Sequence, residues 1–518
     1  METEDKTVPT EEPVAQDDGT AVAPEYKGFA GKLDKFFGIR KAGSNFRKEL
    51  IGGLVTFMAM VYILPVNAGM LSLTGVSYGA IYIATALSAI IGTVLMALVA
   101  RLPMAQASGM GLNAFFTFTI CFGFGLSYAN ALVLILIDGL VFIVLTVTGL
   151  RKMLFNAIPK VVRVAIPAGI GLFIAFIGLQ NVGLVIPDVS TGVTLASFNL
   201  LPAEMGGTAT YGSVMPLIVT VLGVIAVAIM AKKGIKGAVL WAILGGAALY
   251  WIFMGIGYGY GDASCIAVID GFEFANPGTA FKDWGEMSVA KVFTDGFNFD
   301  GYLATHSGGS LALVIITASF AFCMVDMFDT MGTLYGACAR GNMLEKDGSI
   351  PNINKAMICD AIATTAGAVA GTSTVTTFVE SSSGIAAGAR TGLAALMTAG
   401  CFLVAMFLSP IAAMIPSCAT AIALIYVGVL MMNCVREIEW TDAAEAVPAF
   451  LTIAMMPFTY NISYGIAFGI ISWLIIKACL LIFKGKKTNV DTVEDEEKIS
   501  IVTIVIAVLF VLMFFLTH

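Results

Sequence analysis

The chain has 518 residues, of which 58% are hydrophobic and only 12% charged, with a net charge of −7 and a mean hydropathy of +0.90. A soluble domain carries about 25% charged residues, so there is too little polar surface to cover an aqueous fold, and a bilayer is the implied solvent. The acidic balance also argues against nucleic-acid binding.

Residues 1–25 are acidic and polar with no early apolar core, which reads as a disordered tail and not as a signal peptide. Residues 26–41 set Phe29, Leu33, Phe36 and Phe37 near one helical face among lysines. That pattern suits a short helix on the membrane surface, or a solvated linker. Long uncharged windows follow: Glu49 to Arg101, Arg163 to Asp188, and Arg390 to Arg436. A span needs roughly 20 apolar residues. The spans are placed at 49–72, 78–100, 104–123, 129–149, 161–181, 212–231, 236–257, 310–339, 354–370, 375–393, 395–416, 419–433, 448–460 and 462–483, fourteen in all. A further apolar tail at 499–516 either crosses, lies in the interface, or signals a miscount of the short pair at 448–483. The 55 glycines have no collagen period and suit close helix packing.

Lys and Arg concentrate in cytoplasmic loops. An inside N-terminus puts Arg47 and Lys48, the cluster from Arg151 to Arg163, Lys232 to Lys236, Arg340 to Lys355, and Lys484 to Lys487 on one side. The opposite loop, 258–309, carries seven acids and two lysines. The chain therefore divides into a tail with an interfacial helix (1–44), a first repeat (45–257), an extracellular loop (258–309), a second repeat (310–483) and a charged linker with an apolar tail (484–518). Ile158–Pro159 and Ile415–Pro416 stand 257 residues apart, and Asn113 and Glu380 stand 267 apart. Seven spans per half is an odd number, so the second half must insert inverted, and such repeats place a site near the midplane at broken helices.

Two segments break the helical pattern in corresponding places: 103–116 (PMAQASGMGLNAFF) and 371–392 (GTSTVTTFVESSSGIAAGARTG). Each reads as a short strand leading into a half-helix whose first N–H groups are free for a ligand. Unwound backbone is tolerated at that depth only where it is buried or lines a cavity. Asp326 and Asp329 lie three apart on one face of an apolar segment, and Glu380 opens the second half-helix. No Lys, Arg or His accompanies the aspartates within the span. A charge at bilayer depth costs roughly 2.5–3.5 kcal/mol on lenient scales, so these acids are functional candidates, pairing with Arg390 being the structural alternative. Asp138 and Asp360 are weaker candidates, and Asn113 can donate and accept at once, or simply bridge helices. Only two histidines, His306 and His518, are present, and the nine cysteines show no metal-ligand spacing. Neither an enzyme's nucleophile elbow nor a phosphate loop occurs, so the chain is not read as an enzyme.

The strings NFRKELIGGLVTFMAMVYILPVNAGML (45–71), SGMGLNAFF (108–116), IPAGIGLFIAFIGLQNVG (166–183), FDTMGTLYG (328–336) and GTSTVTTFVESSSGIAAGARTGL (371–393) carry a family signal. Across about 45–483 the chain resembles the AzgA-type purine permeases of the nucleobase–cation symporter 2 (xanthine/uracil permease) family. The resemblance implies an all-α integral membrane fold with fourteen segments in a seven-plus-seven inverted repeat, like the uracil permeases. Segments 1–4 and 8–11 form a core and 5–7 with 12–14 a gate, with short strands in segments 3 and 10. It also implies substrate contacts at Asn113, Asp326, Asp329 and Glu380, proton coupling through the three acids, and a homodimer joined through the gate. Ser108 stands where relatives typically have Pro.

The expectation is proton-coupled uptake of hypoxanthine, guanine or adenine across the inner membrane, with the purine and the bilayer as partners and no cofactor beyond the coupling ion, H+ or Na+. The alternatives are a uracil or xanthine permease, or an anion exchanger or channel on the same fold. Carboxylates repel anions, which counts against the last.

Overall fold

The computed structural model describes residues 28–150, 157–201, 208–271, 276–345, 349–483 and 499–516. The tail 1–25, Arg151, Lys152, Lys346, the lysines at 484–487 and His518 lie outside the described residues. The molecule is a multi-pass membrane protein built from fourteen segments. The first seven are Phe46–Thr74, Tyr78–Ala100, Met110–Gly123, Tyr128–Thr148, Lys160–Asn181, Tyr211–Lys232 and Ala238–Gly259. The second seven are Gly308–Arg340, Ile353–Ala370, Ser381–Ala386, Gly392–Met406, Ser417–Glu437, Ala443–Phe458 and Ile462–Phe483. Among the described residues, nine of these helices are long and apolar enough to cross a bilayer by themselves.

The local sequence explains the breaks. Segment 1 is helical to Met60 and resumes at Ile63. Pro65 has no N–H for the Val61 carbonyl, and that carbonyl instead accepts from Leu64 N at 3.2 Å. Tyr62 sits at this break. Segment 3 is preceded by strand β1 (Gln106–Ser108) and segment 10 by strand β4 (Val375–Thr377). An exposed hairpin, β2 (Val185–Asp188) with β3 (Gly192–Leu195), joins segments 5 and 6.

β1 and β4 pair antiparallel, with Gln106 opposite Thr377, Ala107 opposite Thr376 and Ser108 opposite Val375. The ladder continues through Gly109 N to Thr374 O and Phe378 N to Ala105 O, each 3.0 Å. Every residue of both strands is buried. The two interrupted segments therefore satisfy each other's backbone, which is what allows non-helical chain inside the protein. Ser108 adopts the extended conformation without proline, and its hydroxyl lies 2.8 Å from that of Thr372. Gly109 permits the approach, since a Cβ there would come within 2.7 Å of the Thr376 methyl.

Packing separates two bodies. Segment 9 lies on 4 and 2, segment 11 on 1 and 2, and segment 8 on 4, which makes the core. Segment 5 lies on 12 and 13, segment 6 on 7 and 12, and 13 on 14, which makes the gate. Segments 5 and 12 meet at glycine: a Cβ on Gly171 would lie 2.7 Å from the Gly428 carbonyl oxygen, and one on Gly428 would meet that of Gly171. These glycines carry the same 257-residue offset as Pro159 and Pro416, so equivalent positions of the two halves touch across the pseudo-two-fold.

Residues 258–309, expected as a loop, contain four short helices: Ala263–Asp270, Pro277–Met287, Lys291–Thr294 and Asp300–Leu303. The first packs on segments 6 and 7 of the gate, and the other three dock on the core. Trp284 Nε1 donates to Ala370 O at 2.9 Å, and the Ser288 hydroxyl lies 3.0 Å from that of Tyr128 in segment 4. Near the N-terminus, helix Gly28–Phe37 packs Phe37 with Ile39 and Leu393. Arg40's backbone N–H, and then its guanidinium at 2.6 Å, hold the Asp34 carboxyl below its ordinary range against the opposing effect of burial.

Candidate functional site

The strand pair delivers both half-helices to one region of the core. The half-helix Met110–Ala114 faces the gate, because a Cβ on Gly111 would run into Ile170 of segment 5. The half-helix Ser381–Ala386 follows Glu380. Its first three N–H groups donate to the carbonyls of Phe378, Val379 and Glu380 at 3.1, 3.0 and 2.9 Å. The expectation of free N–H groups is therefore corrected here, since a tight i to i−3 turn uses them. What this end of the segment offers is the Glu380 side chain.

Glu380 Oε1 accepts from Tyr62 Oη at 2.5 Å. Asp329 comes from segment 8, next to Thr330, whose hydroxyl lies 2.8 Å from that of Thr376, four residues before Glu380. Asp329 and Glu380 are half-buried, and the neighbouring Val379 is exposed. A pair of carboxyls thus reaches accessible space, with one oxygen held by a tyrosine donor and the others unclaimed by any cation.

Asp326, one turn back along segment 8, is different. It is wholly buried, as are Asp138 of segment 4 and Asp360 of segment 9. Hydroxyls and one amide serve this group. Thr364 Oγ1 stands 3.2 Å from Asp326 Oδ2, Thr374 Oγ1 3.3 Å from Asp138 Oδ2, and Gln106 Nε2 donates to Asp360 Oδ1 at 2.7 Å. The second oxygen of each of the three acids has no protein partner. Thr364, Thr374 and Gln106 all lie in or against the strand pair, so the buried acids are wired to the broken segments.

Asn113 is fully buried on the first half-helix. Its Oδ1 accepts from the Ser373 hydroxyl and its Nδ2 has no protein partner. Asn67 Nδ2 donates to Thr85 and Thr372 at 2.7 and 2.9 Å, adding a second buried amide behind the strands.

Cations stay away from these acids. Among the described residues the ion pairs are Arg40–Asp34, Lys282–Glu286 and Lys291–Asp295. Arg390 Nη1 donates instead to the carbonyls of Ile385 and Ala389, both at 2.7 Å, at the end of the segment 10 half-helix. That placement suits a cation at a helix C-terminus. Glu49 accepts from the backbone of Arg390 and Thr391 at 2.9 and 3.2 Å and is a structural cap. His306 is on the surface, stacked on Tyr302. Among the described residues no group of His, Cys, Asp and Glu is arranged to hold a metal ion.

Tyr62, Gln106, Thr364 and Thr374 have no site role that is legible from the sequence alone. The one signal for Tyr62 was Pro65, which places a helix break three residues earlier. For the others, polar residues inside buried segments were visible, but their partners lie 11 to 254 positions away.

The sequence pattern of the Permease family (Xan_ur_permease) matches residues 47–468. The chain is similar to the guanine/hypoxanthine permease PbuO of Bacillus subtilis (strain 168), 38% identical over 447 residues, 85% of this chain and 94% of that one. It is also similar to the adenine permease AdeP of Escherichia coli (strain K12), 34% identical over 447 residues, 86% of this chain and 91% of that one. In fold it is similar to the transmembrane domain of a cyanobacterium bicarbonate transporter, with a TM-score of 0.52 at 16% identity, over 84% of this chain and 97% of that one.

Proposed function

The chain belongs to the Permease family (Xan_ur_permease), and from that premise we propose that it carries purine nucleobases into the cell, driven by protons, through alternating access of the core against the gate. It is a permease and not an enzyme. The observation that carries the reading is two half-buried carboxyls beside two broken segments, Glu380 held by the Tyr62 hydroxyl and Asp329 on segment 8 next to Thr330, which meets Thr376 of β4. Purines are flat, with ring N–H donors and carbonyl or ring-nitrogen acceptors at the rim. Glu380 and Asp329 accept the N–H groups, and the unpartnered Asn113 amide serves an acceptor. Tyr62 fixes one Glu380 oxygen and leaves the other for the base. Asp326, sealed one turn away, takes the coupled proton, and the three acids together link protonation to substrate binding. The relatives named for guanine, hypoxanthine and adenine support a purine over uracil or xanthine.

The N-terminus faces the cytoplasm of the inner membrane, and the gate joins two copies. Uptake of labelled hypoxanthine into vesicles, with and without an imposed pH gradient, tests the proposal. Uptake that follows the pH gradient is expected. Uptake indifferent to it ends the proton claim, and dependence on a sodium gradient replaces the ion. Sulfate or bicarbonate flux without purine uptake overturns the substrate class.

A further inference from the structure

The helix Ile501–Leu516 lies beyond residue 468, where the family match ends, and no role above uses it. It carries no charged residue. Thr503, Ile506, Ala507 and Phe510 are buried at helical spacing, whereas Ile501, Ile504, Val505, Val508 and Phe515 are exposed on the opposite side. A helix on the membrane surface needs a polar face for water, and here both faces are apolar.

Its direction follows from its contacts. Thr503 Oγ1 donates to Ala157 O at 2.5 Å, just before segment 5 starts at Lys160. Phe514 packs on Tyr464 and Phe468 in the first turns of segment 14, ring centroids 5.3 Å apart in both cases. Segment 14 starts beside the end of segment 5: Tyr460 packs on Phe173 and Phe176, and its hydroxyl donates to Gln180 Oε1 at 2.6 Å. The helix therefore begins at one end of segment 5 and finishes at the other.

It also touches the core, and differently. Phe510 meets Phe320 of segment 8 with centroids 6.2 Å apart. Beside that contact is a cavity of about 40 Å³ lined by Ile316, Thr317, Phe320, Ile506, Leu509 and Phe510. On the gate side a hydrogen bond and two close ring contacts tie the helix. On the core side apolar side chains meet beside a gap that forfeits dispersion contacts, and among the described residues no hydrogen bond ties the two.

We propose that Ile501–Leu516 is a fifteenth membrane crossing, anchored to the gate, which straps the seam along which segment 8 moves and limits the travel of the core. The strap rests on the core-against-gate movement proposed above. Full-length protein with its native cysteines replaced is tested in two paired variants. Phe320→Cys with Phe510→Cys ties helix to core, and Phe468→Cys with Phe514→Cys ties helix to gate. Oxidation of the first pair is expected to stop hypoxanthine uptake, with recovery on reduction, while the second pair keeps its reduced rate when oxidised. Uptake unaffected by either link, or stopped only by the gate link, overturns the strap. A tag after His518, accessible only from the face opposite the N-terminus, is the expected topology. Both termini on one face overturn the crossing whatever the transport result. Failure of the purine reading shows separately, as no hypoxanthine uptake in the reduced variants.

Discussion

The two acid groups of the core contain the same chemistry in opposite surroundings. Asp329 and Glu380 reach accessible space, and a tyrosine holds one of their oxygens. Asp138, Asp326 and Asp360 are sealed, each with one oxygen unpartnered, and no described cation pairs with them. Burial without a counter-charge opposes three simultaneous charges. An accessible carboxyl can exchange its water for a ligand's N–H groups, whereas a sealed one can exchange only with protons and neighbouring hydroxyls. Asp326 and Asp329 lie a single helical turn apart, so distance along the chain says little about which of the two environments an acid enters.

The contrast breaks most sharply at the accessible pair. Asp329→Asn or Glu380→Gln should cut hypoxanthine uptake beyond about 100-fold, as expected when a charged hydrogen-bond acceptor and a proton carrier are lost together. The amount of monodisperse detergent-solubilised protein should not change. Retained uptake in both variants would mean that the pair does not hold the base.

Asp326→Asn should separate binding from coupling. Purine affinity, read by calorimetry, stays within about threefold, since an acceptor oxygen remains for Thr364. Accumulation driven by a pH gradient disappears, while equilibrative exchange of labelled for unlabelled base persists. Loss of affinity together with coupling would place Asp326 in contact with the substrate and merge the two groups.

Tyr62→Phe removes one neutral-to-acid hydrogen bond. The KM for hypoxanthine should rise about 5- to 10-fold, from roughly 1–1.5 kcal/mol, with the maximal rate within about twofold. A fall in maximal rate at unchanged KM would assign Tyr62 to the movement instead. The smallest effect is expected at Asp138→Asn, where Thr374 keeps an acceptor. A change of about threefold or less in KM marks it as part of the sealed group's framework, and a loss as large as that at Glu380 would erase the contrast.

Membrane residence, the run of fourteen segments, the two interrupted ones and the candidate acids follow from sequence, because each rests on local quantities. These are the length of an uncharged window, the density of small and β-branched residues around Thr372 to Thr377, and a charge where lipid would exclude it. The pairing of β1 with β4 was not legible, because each strand is three residues long and its partner lies more than 250 positions away. Neither was the division of the acids into an open pair and a sealed group, which depends on the side from which segments 4 and 9 cover segment 8. Free N–H groups were expected at both half-helices from the breaks alone, and in segment 10 a tight turn at Phe378 to Ser383 uses them. The tail 499–516 was ambiguous by composition, since an apolar helix is equally at home in lipid or against protein. Its contacts with Ala157, Phe320 and Tyr464 decided its path. Sequence determines what each segment can tolerate around it, whereas only tertiary packing decides which neighbours supply that environment, since burial and hydrogen bonding are properties of pairs distant along the chain.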